Sequence, residues 1–341
     1  MNGPTAIPMT HLSIVSTLMD FAIDIGTPLE SSLASAKLPT RIVDQRSGYL
    51  PCKQFCAWVD HVTCAEGIDN FGLRSVMRAG VGGLQPIIVD TVTAQPSLFE
   101  GLNAFVGLAS RESSHVTIWV EESTEGLRLC HRGSYPRSVP GQVDMSWWAL
   151  GMLVQVVRLF LGPEWCPPTA GVPAQGNYNG KKTASAFFPA TNFVPEPDIA
   201  WISVLKRSLA APPTTRRRCD MPLTGLGENM LPPVDLLDGL SRLILMYLPD
   251  GALRIQEAAE IAGTSVRSLQ RYLSSQKLSY SRLVSNLRFE TAKRRLARSD
   301  QPVTEIAIEL GYSDSSHFAR AFRRIAGIHP TEYRKAGEHL G

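Results

Sequence analysis

The strongest constraint in this 341-residue sequence is a pattern that it writes twice towards its C-terminal end. In the first copy, Ile255, Ala258, Ala259 and Ile261 give a short helix one apolar face. Gly263 follows where a tight turn needs a positive φ, and Ser265 stands where a second helix needs an N-cap. Val266, Leu269, Tyr272 and Leu273 of that second helix fall on one side, which leaves Arg267, Ser268, Gln270 and Arg271 facing out. In the second copy, Val303, Ile306, Ala307 and Leu310 form the short helix after Pro302, and Gly311 makes the turn. Ser313 or Asp314 caps a helix with Phe318, Ala321 and Phe322 inside, and Ser315, Ser316, His317, Arg320, Arg323 and Arg324 are left to the surface. Two helices joined by a glycine turn, the second with exposed polar and cationic side chains, make a helix-turn-helix. The sequence thus predicts such units at 255–275 and 303–324, inside an all-α region over 234–341.

Between the copies, Ser281–Ser299 reads as a helix that at about 1.5 Å per residue is roughly 25 Å long. With its flanking packing it sets the two recognition helices about one DNA turn apart, roughly 34 Å, so that one chain reads two successive major grooves. Lys293, Arg294, Arg295 and Arg298 on it offer phosphate contacts. Charge agrees. The net charge of +3 conceals a split: from Gly251 onward there are 15 Lys and Arg against 9 Asp and Glu, and the rest holds 19 basic and 22 acidic residues. A basic tail behind a slightly acidic body suits a polyanionic partner.

These residues also resemble a family. Ser-Val-Arg-Ser-Leu-Gln-Arg-Tyr-Leu (265–273), Arg-Phe-Glu-Thr-Ala-Lys-Arg-Arg-Leu (288–296), the run from Glu305 to Arg324 and Gly-Ile-His-Pro-Thr-Glu-Tyr-Arg (327–334) are similar to the AraC/XylS transcription regulators. The resemblance implies base and backbone contacts from Arg267, Gln270 and Arg271 on the first recognition helix, and from Ser315, Ser316, His317 and Arg320 on the second. Arg pairs bidentately with guanine and Gln with adenine in the major groove, so the residue types fit. Ser265, Lys293, Arg323 and Arg324 are assigned to the DNA backbone. Gly311, Phe318, Phe322 and Pro330 match the structural part of the signature, and Lys277 departs from it where members often carry Gly. The implied partners are promoter DNA, RNA polymerase as for an activator, an unidentified small-molecule effector and a second copy of the chain; no membrane and no cofactor are implied.

Ahead of this region, Asp235 caps a helix with Leu236, Leu237, Leu240, Leu243, Ile244 and Tyr247 in one stripe, which packs on the DNA-binding domain or pairs two subunits. The Pro-, Gly- and Arg-rich stretch 212–233, with Arg216, Arg217 and Arg218, reads as a linker. Residues 12–211 read as mixed α and β, giving an α+β protein overall. Leu12–Ile25, Ser97–Ala109 and Trp147–Leu161 have helical character, whereas Pro86–Val92 and Val116–Val120 are β-branched runs of strand length. Phe71-Gly72-Leu73, the run Pro96 to Leu102, the run Gly162 to Pro168, and Phe187-Phe188-Pro189 with Phe193 resemble the arabinose-binding-type sensor domain of one branch of that family, a label that does not imply a sugar. Trp147, Trp148 and Trp165 could line a pocket, but aromatic residues at such positions are more often core.

Other chemistry is weaker. Cys52, Cys56 and Cys64 with His61 would be a zinc set only if all four converged, since no further Cys-x-x-Cys pair follows. No metal site is expected, and free thiols are. An enzyme fused to this DNA-binding unit, such as a DNA-repair methyltransferase, is the alternative; Cys130-His131-Arg132 only partly echoes its nucleophile motif, and neighbours in sequence rarely form a nucleophile–base pair. No catalytic residue is assigned. No apolar run approaches the roughly 18 residues of a membrane span, and no signal peptide is read at the N-terminus, so a cytosolic protein is expected.

Overall fold

A computed structural model describes residues 6–43, 48–109, 116–133, 135–136, 138–173, 180–196, 198–215 and 233–338. The basic triplet Arg216–Arg218 and most of the 212–233 stretch lie outside them. The chain divides into two compact units, one of residues 8–232 and one that joins 233–341 to the first seven residues. The first mixes helices and strands and the second is helical among its described residues, the α+β arrangement expected.

The larger unit runs β1 (Met9–His11), α1 (Leu12–Asp24), α2 (Leu29–Ser35), β2 (Tyr49–Pro51), α3 (Cys52–Glu66), α4 (Phe71–Ala79), α5 (Pro86–Thr93) and α6 (Leu98–Ala109). It continues with β3 (Thr117–Ser123), β4 (Gly126–Arg132), α7 (Gln142–Leu161), β5 (Thr169–Pro173), α8 (Lys181–Phe187), β6 (Asn192–Glu196) and β7 (Ala200–Leu205). The last five strands form one sheet in the order β3-β4-β7-β5-β6, antiparallel throughout except for the parallel pair β5–β6. The short strands β1 and β2 pair separately and antiparallel.

Helix α7 is the spine of this unit. It packs on β4, β5 and β7 and on the helices α3 to α6, so every residue from Ser146 to Val157 is buried. At 20 residues it is long and apolar enough to cross a membrane, with 78% of its apolar window buried inside the fold. That corrects the expectation of no such run. The helix begins at Gln142 rather than Trp147, and the interruptions Asp144 and Arg158 fall near its two ends.

The run Pro86–Val92 is not a strand. It is helix α5, with Pro86 in the first turn, where no backbone N–H is needed, and with Ile88 and Val92 buried one turn apart. Packing against α6 and α7 overrides the strand preference of the β-branched side chains. The other assignments hold: α1 ends one residue short of Ile25, α6 spans Leu98–Ala109, and β3 covers the Val-Thr-Ile-Trp-Val run from its second residue.

The smaller unit contains α9 (Leu236–Tyr247), α10 (Ile255–Ile261), α11 (Val266–Ser275), α12 (Tyr280–Arg298), α13 (Val303–Glu309), α14 (Ser315–Ala326) and α15 (Pro330–Glu338). The Asp235 carboxylate accepts from the Asp238 amide at 2.8 Å, the cap the sequence predicts. Leu236, Leu240, Leu243, Ile244 and Tyr247 are buried, and α9 packs on α10 and α12, so its stripe is used inside the unit.

Candidate nucleic-acid interface

The two helix-turn-helix units close their turns with the same hydrogen bonds. After α10, the amide of Gly263 reaches the Glu260 carbonyl at 3.1 Å and that of Thr264 reaches Ala259 at 2.9 Å. After α13, Gly311 reaches Ile308 at 2.9 Å and Tyr312 reaches Ala307 at 3.0 Å. This double closure needs a left-handed residue at the first position, and the glycines supply φ of 64° and 71°. Next comes the cap. Ser265 Oγ accepts from the Ser268 amide at 3.1 Å, and Asp314 Oδ1 accepts from the His317 amide at 2.7 Å. Of the two candidates, Asp314 is the cap and Ser313 donates to its other oxygen at 3.2 Å. The hydrogen bond from the His317 amide holds the Asp314 carboxyl below its ordinary range.

The faces are divided as the periodicity requires. Leu269 and Leu273 of α11 are buried, while Arg267, Gln270 and Arg271 are exposed. Phe318 and Phe322 of α14 are buried; Ser316, His317, Arg320, Arg323 and Arg324 are exposed, and Ser315 and Ala321 are half-buried. Ser265 is exposed and Lys293 half-buried, the latter 3.8 Å from Glu290. Each recognition helix therefore presents its cationic and polar side chains to solvent from a rigid turn.

Contacts between elements, which the sequence pattern does not show, fix the second unit in place. Arg288 of α12 donates to the Gly311 carbonyl at 3.2 Å and lies over the Tyr312 ring at 4.8 Å. Tyr312 in turn meets His317 edge-on at 5.5 Å. Arg295, read as a phosphate contact, instead pairs with Glu309 of α13, which also accepts from Gln301 at 2.8 Å. Phe289, Phe318, Phe322 and Tyr333 form one aromatic cluster that joins α12, α14 and α15. Arg288 and Arg295 look like surface charges in sequence, and only their long-range partners show otherwise.

The alternative chemistry in the larger unit does not assemble. Cys130 and His131 are consecutive on β4 and point to opposite faces of the sheet. Burial pushes the Cys130 thiol up to about 12 and holds the His131 imidazole down to about 4, the opposite of an activated nucleophile and its base. Cys52 and Cys56 are buried and Cys64 is exposed; among the described residues no group of three or more His, Cys, Asp or Glu is placed to hold a metal. Trp147 is core against Phe193, and Trp148 is buried at the edge of a cavity.

A family model described as a helix-turn-helix domain matches residues 258–336. Among curated proteins, the Ornithine utilization regulator of Pseudomonas aeruginosa is 34% identical over 166 residues, 46% of this chain and 47% of that protein, so the match spans about half its length. The HTH-type transcriptional regulator VirS of Mycobacterium tuberculosis is 25% identical over 330 residues, 93% of this chain and 94% of that protein. Among solved structures, the regulator CdpR from Pseudomonas aeruginosa aligns over 93% of this chain and 98% of its own at 18% identity, with a TM-score of 0.38. The DNA-binding domain of AdpA, solved with a target DNA, aligns over 30% of this chain and 94% of its own at 26% identity, with a TM-score of 0.28. Residues 258–336 thus belong to a helix-turn-helix domain, and the curated relatives named here carry the names of regulators.

Proposed function

We propose that this chain is a sequence-specific transcription regulator that reads two successive major grooves of duplex DNA with α11 and α14, under the control of a small-molecule effector received by residues 12–211. The observation that carries the DNA-reading part is the duplication. Two turns with the same hydrogen bonds and the same capping position each display a helix with Arg and either Gln or Ser-His outward. Gln270 and Arg271 offer bidentate base recognition on the first helix, Arg320 on the second, and Ser265, Lys293, Arg323 and Arg324 steady the backbone. The sensor role of residues 12–211, bounded from the DNA-binding domain by the 212–233 linker, is supported by their sequence resemblance and by a pocket whose lining residues, all but Thr10, come from them. RNA polymerase at the promoter and a second copy of the chain complete the partners of this reading, with the cytosol as its place of action.

Base-by-base operator scans on Gln270→Ala and Arg320→Ala test it. Each substitution costs about 1–3 kcal/mol and relaxes preference at one position, the two positions lying about 10 base pairs apart. Lys293→Ala weakens binding evenly across sequences and flattens the salt dependence. Loss of preference at the same base pair in both variants would sink the two-groove reading.

A further inference from the structure

The larger unit holds a partly open pocket of about 80 Å³ between α3, α6, α7 and the β3–β4 hairpin. Phe55, Phe105, Ile118, Trp148 and Met152 give it apolar walls. Among the described residues no Asp, Glu, Lys or Arg lines it. Its polar groups are few: Thr10, the thiols of Cys52 and Cys56, and above all His131 and Gln142.

The last two are placed as binding groups are. His131 is 8% exposed and Gln142 5%, and among the described residues no side-chain hydrogen bond of the His131 ring is found. Gln142 opens α7, and among the described residues its Oε1 is met by the Cys56 thiol at 3.8 Å. A side chain on Gly133 would collide with the Gln142 amide, so a glycine keeps that amide in place. Both residues line the pocket, where a polar group of a bound molecule can pair with them. Burial keeps the imidazole uncharged, so it offers one donor and one acceptor. The Cys56 thiol is pushed up beyond the usual thiol range and serves as soft wall rather than nucleophile.

We propose that this pocket binds a small, uncharged, mainly apolar molecule with one hydroxyl or carbonyl, which His131 and Gln142 hold by hydrogen bonds. The assignment deepens, and rests on, the reading of residues 12–211 as the effector-receiving part. A sugar would bring several hydroxyls to walls that can match only one or two. A carboxylate or an ammonium group would enter without a counter-charge.

Calorimetric titration of the full chain with benzyl alcohol, and with its charged analogues benzoate and benzylammonium, tests the site. Benzyl alcohol binds saturably and at least tenfold more tightly than either ion. Ala149→Leu, which fills the cavity from α7, abolishes that binding. His131→Phe preserves the shape and provides an independent arm should the filled variant not fold: benzyl alcohol loses about tenfold in affinity while toluene is unaffected. Equal binding of benzoate, or an Ala149→Leu protein that is folded and still binds, overturns the assignment. So does the absence of saturable binding by benzyl alcohol, phenol and 1-hexanol alike. Promoter-DNA affinity with and without benzyl alcohol separates the two readings. Cavity binding that leaves DNA affinity unchanged upholds the ligand site and removes effector control from it, whereas no binding removes the site and leaves the DNA-reading proposal to the operator scans.

Discussion

The two units are built on opposite plans. In residues 233–338 each short helix buries one stripe and shows the rest to water, so α11 buries Leu269 and Leu273 and α14 buries Phe318 and Phe322. In residues 8–232 the central helix α7 is surrounded, and α4 lies so close to it that Gly72 and Gly151 face its neighbours with no room for a side chain. A helix buried on one side carries its orientation in its own periodicity. A helix buried on all sides carries almost none. The first plan frees outer faces for a partner and concentrates stability in a few buried side chains; the second spreads stability through a large interior and leaves room for a cavity.

The sharpest way to break that contrast is to remove one anchor of the smaller unit. Phe322→Ala deletes the ring shared by Phe289, Phe318 and Tyr333, at a cost of about 3–5 kcal/mol. Calorimetry should show the helix-turn-helix unit melting early, with the transition of residues 8–232 little changed. A comparable loss in both transitions would mean that stability is not partitioned in this way.

A smaller effect separates the buried polar groups of the larger unit. His131, held down to about 4 by burial, stays neutral in the fold while the unfolded chain takes up a proton below about 6.5. It therefore removes stability as pH falls from about 6.5 to about 4, on the order of 3 kcal/mol in full. Asp144 runs the other way. Burial first, and then Asp60 and Asp69, lift it to about 6 against the hydrogen bonds from Gly72 and Phe71. The fold thus holds a proton that the unfolded chain has released, and stability falls as pH rises from about 4 to about 6, again on the order of 3 kcal/mol. The two oppose each other across one window, so wild-type stability is nearly flat there in this respect. His131→Phe leaves a protein that gains stability towards acid, and Asp144→Asn one that loses it, as denaturant midpoints measured between pH 4 and 7 would show. Parallel curves for both variants would contradict the opposed assignment.

What could be read in the chain beforehand follows the same division. The turn at Gly311 and a cap at Ser313 or Asp314 were legible because a positive φ and an orphan helix amide each favour a few residue types locally; only the hydrogen bond from the His317 amide chooses Asp314. Helix α5 was misread because Ile87, Ile88, Val89 and Val92 speak for a strand and only the surrounding helices α6 and α7 decide otherwise. Of the candidate interface, the residues that face out were visible from periodicity. Arg295 and Arg288 were not, because their partners Glu309 and Gly311 lie on another element. The cavity was invisible: Cys52, Phe105, His131 and Trp148 come from four separate elements and share no spacing.

The paired turns offer a finer test. Gly263 and Gly311 do the same conformational work, but a Cβ at Gly263 meets open space whereas one at Gly311 runs into the Leu248 carbonyl. Gly263→Ala should cost about 1 kcal/mol, the strain of a left-handed alanine, and Gly311→Ala about 3 kcal/mol, because backbone must also move. Equal losses in chemical denaturation would show that the turn at Gly311 is not held against the Leu248 segment.

The smallest expected effect concerns the residue that departs from the family pattern. Lys277 follows α11 with φ of 57°, and the closure is the one seen at the glycine turns: its amide reaches Ser274 at 2.9 Å, and that of Leu278 reaches Leu273 at 2.9 Å. The same motif thus occurs a third time in the unit with lysine in the left-handed position. An L-residue there bears about 1–2 kcal/mol of strain, which glycine would relieve. Glycine would also loosen the unfolded chain, which takes back about 0.5–1 kcal/mol. The Lys277 side chain is exposed and makes none of the described contacts, so little packing is lost. Lys277→Gly is therefore expected to stabilise the unit by about 0.5–1 kcal/mol, a rise of a few degrees in its melting temperature. Lys277→Val should lower it, since a β-branched side chain tolerates that φ least. If glycine lowers the melting temperature as valine does, the lysine contributes more than a strained turn, and the contact it makes would have to be sought on the bound DNA.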